Sequence, residues 1–413
     1  MKRLHSPETS MQFDCKQLRV ITAAGLVFAL LFGVQQSRAL FIGPINTSTG
    51  LGIAAISLAF ACAQLMWGIT QPFAGAMADK YGAGRVIAGG AVLVMVGTVL
   101  TPYATTTWML ILLIGIVAAG GAGMAGLGVL MSAVGRALPP EKRGMATGLV
   151  NAGGSFGQFA VVPVAQYLTG AIGWVGALTG IGVMALAVVP LAWVLRGKAV
   201  AAAAAAGAPA EKTMKQAVRD AWRDSSFLYL TAGFFVCGFH VAFIATHLPG
   251  VVASCMLPPE VGAWALSLIG LFNIAGSFTA GWAIGRWRMK SVLAAIYAAR
   301  AVIVLAFLFA PKTSTTFLVF AVLIGFTYLA TVPPTVGLVA KLHGMRFMAT
   351  LFGIVMLSHQ VGGFLGAWLG GKLFETTGSY DWMWYIDIML AVGAALIHLP
   401  IREASKPQVV ALV

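Results

Sequence analysis

Arg38, Arg300, His240, His359 and several amides lie inside long apolar runs, where a polar group is costly unless it has a partner or a task. Arg38 follows Gln35 and Gln36 in the outer third of the first run. A guanidinium there offers a planar fork that fits a carboxylate; it can equally snorkel to outer headgroups or donate to backbone carbonyls. His240 and His359 fall near the middle of two later runs. An imidazole in such a place can donate to an anion and take up a proton near neutral pH, or act as a neutral hydrogen-bonding group between helices. Gln36, Asn151, Gln158, Asn273, Tyr328 and Gln360 can orient a substrate or join helices by the same bonds. His247, next to Pro249, fits the ordering of a helix end. Of the 12 Asp and Glu, only Asp387 begins clearly inside a run, near the outer face of the last one. A carboxylate proton relay therefore has no obvious site, and a proton would ride on a histidine or on the substrate. Paired carboxylates, a metal-ligand cluster, a nucleophile elbow and a phosphate loop are all missing, which argues against an enzyme, a cofactor and a metal.

What must position these groups is a bundle of membrane helices. With 59% hydrophobic and 9% charged residues and a mean hydropathy of +0.90, the chain is not a soluble globular domain. Twelve apolar runs can be drawn over 18–43, 51–74, 86–103, 108–134, 145–168, 173–195, 227–250, 261–284, 291–310, 315–340, 348–370 and 383–400. Most approach the ~20 residues that carry a helix across ~30 Å of hydrocarbon. The net charge of +14 is not gathered into a basic face, so it indicates topology rather than nucleic acid. All 26 Lys and Arg except Arg38, Arg300, Lys312 and Lys372 fall in alternate segments, which puts both ends in the cytosol. The four cysteines show no paired spacing, so no disulfide is expected. The expected organisation is a tail over 1–17, six spans over 18–195, a linker over 196–226, six spans over 227–400 and a tail over 401–413. Within the linker an alanine tract (201–206) and Pro209 precede Met214, Val218 and Trp222, which recur every four residues beside the basic row Lys215, Arg219 and Arg223. That pattern predicts a short helix on the inner leaflet.

Between runs two and three stands Gly75-Ala-Met-Ala-Asp79-Lys80-Tyr-Gly82-Ala-Gly84-Arg85. The two halves also repeat one another. Gly33 and Pro44 in run one match Gly238 and Pro249 in run seven, and Gly52 with Ser57-Leu58 matches Gly262 with Ser267-Leu268. Arg143-Gly-Met-Ala-Thr after run four matches Arg346-Phe-Met-Ala-Thr after run ten, and Gly281 to Arg286 is a degraded copy of the loop. The loop resembles the signature between helices two and three of the major facilitator superfamily, Gly-x-x-x-Asp-Arg/Lys-x-Gly-x-x-Arg. Within that superfamily the chain looks similar to bacterial monocarboxylate transporter-like members. The resemblance rests on Asn151 to Phe159 with Pro163, on Cys237 to Pro249, and on Ser358 to Gly366.

The resemblance implies an all-α membrane protein of twelve transmembrane helices in two pseudo-symmetric six-helix bundles around a central cavity. It would be a monomer in a bacterial inner membrane, moving a small organic anion with a proton or by exchange. Spans 1, 4, 7 and 10 would line the cavity, with Arg38, Gln36, Asn151, Gln158, His240, Asn273, Tyr328, His359 and Gln360 as candidate substrate residues. Gly75, Asp79, Lys80, Gly82 and Arg85 would latch the cytoplasmic side. Arg300 in peripheral span 9 would serve packing. The chain also departs from the family. Animal-type monocarboxylate porters carry an aspartate and an arginine four apart where this chain has Asn273 and Ser277, and a basic span 1 residue where it has Gln36. Neutral or cationic amphiphiles remain the alternative cargo.

Overall fold

The computed structural model describes residues 13–196, 213–344 and 347–403, and their backbone is helical almost throughout. A helix pairs its N–H and C=O groups within one segment, which hydrocarbon demands because no water is there to pair them. The helical stretches are α1 (Cys15–Thr49), α2 (Ile53–Tyr81), α3 (Ala83–Tyr103), α4 (Thr107–Ala137) and α5 (Lys142–Val194). The short α6 (Met214–Arg223) follows, then α7 (Ser225–Ser254), α8 (Pro259–Ala283), α9 (Met289–Phe309), α10 (Ser314–His343), α11 (Thr350–Thr377) and α12 (Asp381–His398). The N-terminal tail before residue 13, the alanine tract with Pro209, Arg346 and the tail from residue 404 lie outside the described residues.

Among the described residues ten stretches, not twelve, are long and apolar enough to cross a membrane. The expected fifth and sixth runs join into the 53-residue α5, which is interrupted at Gly173 (φ 74, ψ 166). Only glycine adopts that backbone without strain. α12 is not among the ten; its 18 residues include Asp381 and Asp387. The amphipathic linker helix is present as α6, capped by the Thr213 side chain on the Gln216 N–H. It buries Ala221 and leaves Lys215, Arg219, Trp222 and Arg223 exposed.

One buried apolar cluster runs from Ile21 to Leu195, and two more are built on residues 221–401, with Ala39 and Val162 reaching in from the first half. α1 packs along α5 within the first half, and α7 packs along α11 within the second. The halves meet where α2 lies against α11 and α5 against α8. These two seams are uneven. At one end the Glu375 carboxylate lies on the bare Cα of Gly52, and Ser57 fills the space a side chain at Gly371 would need. Further along, Gln360 presses on Gly68, and Ser155 presses on Gly270. At the opposite end Gly75 of α2, Gly144 and Gly148 of α5, Gly281 of α8 and Gly353 of α11 face open space. The named contacts between the halves thus lie toward the Gly52 end and the middle of the seams, and the glycines of the Gly75 end make none.

Candidate functional site

Where the halves meet, a small cavity of about 30 Å3, room for one or two waters, is lined by Gln35, Gln36 and Arg38 from α1, Phe60 and Gln64 from α2, Ile114 from α4 and Thr246 from α7. Two local irregularities shape it. Pro44 cannot donate to the Leu40 carbonyl, and α1 tightens into a 3-10 turn over Arg38–Phe41, which presents Arg38 inward. Across from it, α4 widens into a π-helical stretch over Ile111–Ala118 that carries Ile114.

Arg38 is 4% exposed and forms no hydrogen bond or ion pair among the described residues; its Nε is fully buried without a partner. Gln35, Gln36 and Gln64 bring amide donors and acceptors around it. Gln35 and Gln64 were not singled out as candidates from the sequence. Gln64 could have been: it shares a face of α2 with Ala61 and Gly68, both turned toward α11.

Of the other sequence-predicted residues, several serve helix joining. Gln158 donates from Nε2 to the Leu266 carbonyl at 2.8 Å, tying α5 to α8. Asn273 donates to Ser155 Oγ at 2.8 Å and accepts from the Leu329 N–H at 2.9 Å. Tyr328 donates to the Val241 carbonyl at 2.9 Å, with Gln36 beside its hydroxyl. His359 packs against Phe234 with tilted rings whose centroids are 4.9 Å apart, and Gln360 is fully buried with neither amide atom bonded. His247 pairs Nε2 with the Ala367 carbonyl at 2.7 Å, joining α7 to α11. Asn151 is half-buried and does not line the cavity. Asp79, Lys80 and Arg85 are exposed and make no ion pair among the described residues, at the Gly75 end of the seam.

A carboxylate lies beside one of the histidines: Asp387 is fully buried, and its Oδ1 lies 3.4 Å from His240 Nε2. His240 therefore faces α12 rather than the cavity. α9, which carries the buried Arg300, packs along α12. The signal was present as helical spacing. Met383, Asp387, Ala391, Ala394 and His398 form one buried stripe on α12, and Leu293, Tyr297, Arg300, Val304 and Phe307 form another on α9. Arg300 also donates from Nη2 to the Thr327 carbonyl and, at 2.6 Å, to the Tyr328 carbonyl. Those oxygens are free because α10 breaks over residues 328–331, just ahead of Pro333 and Pro334.

The sequence model described as Major Facilitator Superfamily matches residues 23–255 and 250–412, essentially the whole chain. The chain belongs to the major facilitator superfamily. It is 26% identical over 387 residues to monocarboxylate transporter 13 of Rattus norvegicus, covering 92% of this chain and 88% of that one. A shorter match, 29% over 187 residues, covers 43% of this chain and 42% of the oxalate:formate antiporter of Oxalobacter formigenes. Within the superfamily the chain thus stands near the monocarboxylate transporter-like members. Its fold is that of a bacterial homologue of the human lysosomal transporter Spinster in an inward-facing, unoccupied conformation. The TM-score is 0.71 at 16% identity, with 94% of this chain and 97% of that chain covered. The superfamily transporter is a multi-pass membrane protein.

Proposed function

We propose that this superfamily member carries a small organic anion, a carboxylate, across a bacterial inner membrane by alternating access, with both termini in the cytosol. The observation that carries this reading is Arg38, a buried guanidinium facing a cavity between the halves with no acidic partner among the described residues. An unpaired buried charge is expensive, and a carboxylate would supply two charge-assisted bonds where the protein supplies none. A cationic cargo would meet the same group as repulsion. Gln36, with Gln35 and Gln64, would orient the anion's remaining oxygens; the other candidates would act on the seams or on the proton.

In this reading the protein has twelve crossings in two six-helix halves. The 53 residues of α5 extend ~80 Å if helical, more than twice the hydrocarbon thickness, so the Gly173 break would be a turn at the membrane surface. α12 would be the last crossing, its Asp387 shielded by α7 and α9. Positive residues, Lys80 and Arg85 among them, gather at the Gly75 end, where the glycines make no contact between the halves, so that end would face the cytosol and the structure would be inward-open. Asp79, Lys80 and Arg85 would then engage when the seam closes there. The test is a thermal-shift screen of purified protein, followed by exchange in proteoliposomes, with oxalate, formate and lactate against dye-like cations. Stabilisation and exchange by carboxylates alone supports the proposal. Stabilisation by the cations alone overturns it.

A further inference from the structure

The second half buries a group of ionisable side chains that the anion cavity does not use. From α7 come Cys237 and His240, from α9 Tyr297 and Arg300, from α10 Tyr328, from α11 His359 and from α12 Asp387. Some of these are satisfied as structure. The Tyr297 hydroxyl donates to the Gly233 carbonyl at 2.6 Å, and Cys237 Sγ lies 3.1 Å from Thr331 Oγ1. Three are not. Both Asp387 oxygens, both His240 ring nitrogens, and Nε and Nη1 of Arg300 are buried without a hydrogen-bond partner. The 3.4 Å approach of His240 to Asp387 is longer than a formed hydrogen bond, so the pair is adjacent but not closed. Buried polar atoms are bonded as a rule, and six orphaned atoms on three neighbouring groups mark a site with unfilled capacity.

We propose that His240 and Asp387, with Arg300 as counter-charge, form the proton-binding site of this transporter, separate from the anion cavity. The ligand is a single proton, shared between the carboxylate and the imidazole. Charge bookkeeping favours its travelling with an anion. The fixed charges buried in the membrane part are Arg38, Arg300 and Asp387. Adding an anion at Arg38 alone, or a proton at Asp387 alone, changes the net charge held in a low-dielectric interior; adding both leaves it unchanged. A physical link between the sites exists. Tyr328 touches Gln36 of the cavity with its hydroxyl, bonds the Val241 carbonyl next to His240, and gives its own carbonyl to Arg300. Movement of the halves that displaces Gln36 therefore bears on the helix break that Arg300 holds.

The coupling half of this proposal rests on the anion reading, whereas the proton site does not, and the experiment separates them. Difference infrared spectroscopy of purified protein, stepped from acid to alkaline pH without substrate, should show a carboxylic-acid carbonyl band that titrates in the wild type. It should be absent in Asp387→Asn and present, shifted, in Asp387→Glu. A band unchanged in Asp387→Asn, or none in the wild type, overturns the site. In proteoliposomes with labelled oxalate, formate or lactate, Asp387→Asn should lose accumulation driven by an imposed pH gradient at least tenfold more than it loses equal-concentration exchange, which also reports correct folding. Gradient-driven accumulation that survives Asp387→Asn overturns the coupling. If wild-type liposomes take up none of these anions, the anion reading fails and the infrared titration still decides the proton site.

Discussion

Removing the charge of Arg38 should separate binding from folding. The guanidinium is 4% exposed and unpartnered among the described residues, so the ligand-free protein already bears its desolvation cost. A bound carboxylate would make two charge-assisted hydrogen bonds to the fork, each contributing about 1.5–3 kcal/mol. Their loss in Arg38→Gln should weaken anion binding by on the order of a hundredfold or more, since each 1.4 kcal/mol or so is tenfold. Arg38→Lys keeps the charge but not the fork and should fall between the two proteins, at roughly a tenfold loss. The unfolding temperature of ligand-free Arg38→Gln should match or exceed that of the wild type, because a buried charge has been removed and no bond broken. Isothermal titration with oxalate and formate gives the first quantity, and thermal unfolding without ligand gives the second. Unchanged affinity in Arg38→Gln, or a clear loss of ligand-free stability, would refute the reasoning and return Arg38 to a structural role.

Three other expectations test the frame around the cavity. Gly371→Leu places a side chain where Ser57 already sits, so the Gly52 end should no longer close; a cysteine introduced at Thr246 should become reactive to an impermeant thiol reagent from that side, and transport should stop. Asp79→Asn should leave the ligand-free protein as stable as the wild type, because Asp79 is exposed and makes no ion pair among the described residues. It should lower maximal exchange several-fold more than it alters KM, as a latch on the opposite conformation requires. Asn273→Ala strips partners from Ser155 and from the Leu329 N–H at once, and thermal unfolding should register a loss of about 1–3 kcal/mol.

The membrane class, the repeated halves and the signature loop were legible because they are written along one dimension, as hydropathy, charge alternation and fixed spacing. Arg38 was legible for the same reason, being a cation inside an apolar run. What hydropathy could not convey is azimuth. Position along the run put Asp387 near the outer side of the membrane, but only the spacing of Met383, Asp387 and Ala391 shows that it turns inward toward α7. His240 was read as a cavity residue for want of that partner. Asn273 and Gln158 show a second limit, since their amides could serve substrate or seam equally well in sequence. Only the partners, Ser155 and Leu329 for one and Leu266 for the other, assign them to the seam. The ten stretches counted by length and hydropathy and the twelve runs read from the sequence differ at Gly173, where one backbone angle interrupts α5, and at α12, whose carboxylates lower its hydropathy.

The two buried arginines carry the contrast on which the functional argument turns. Arg300 lies beside a helix that two prolines have broken, and the freed carbonyls of Thr327 and Tyr328 take its Nη2 donors. A buried cation can be held in place in this way, with backbone oxygens already displaced from their ladder. Pro44 also disturbs α1 near Arg38, and a nearby carbonyl could have been turned toward the guanidinium by the same device. Instead the turn points Arg38 into a space walled by amides, and no backbone or carboxylate oxygen among the described residues bonds it. Arg300 is tied to the fold through Nη2, whereas Arg38 is bonded by nothing among the described residues, and in the proposed reading it is the guanidinium that a carboxylate would meet.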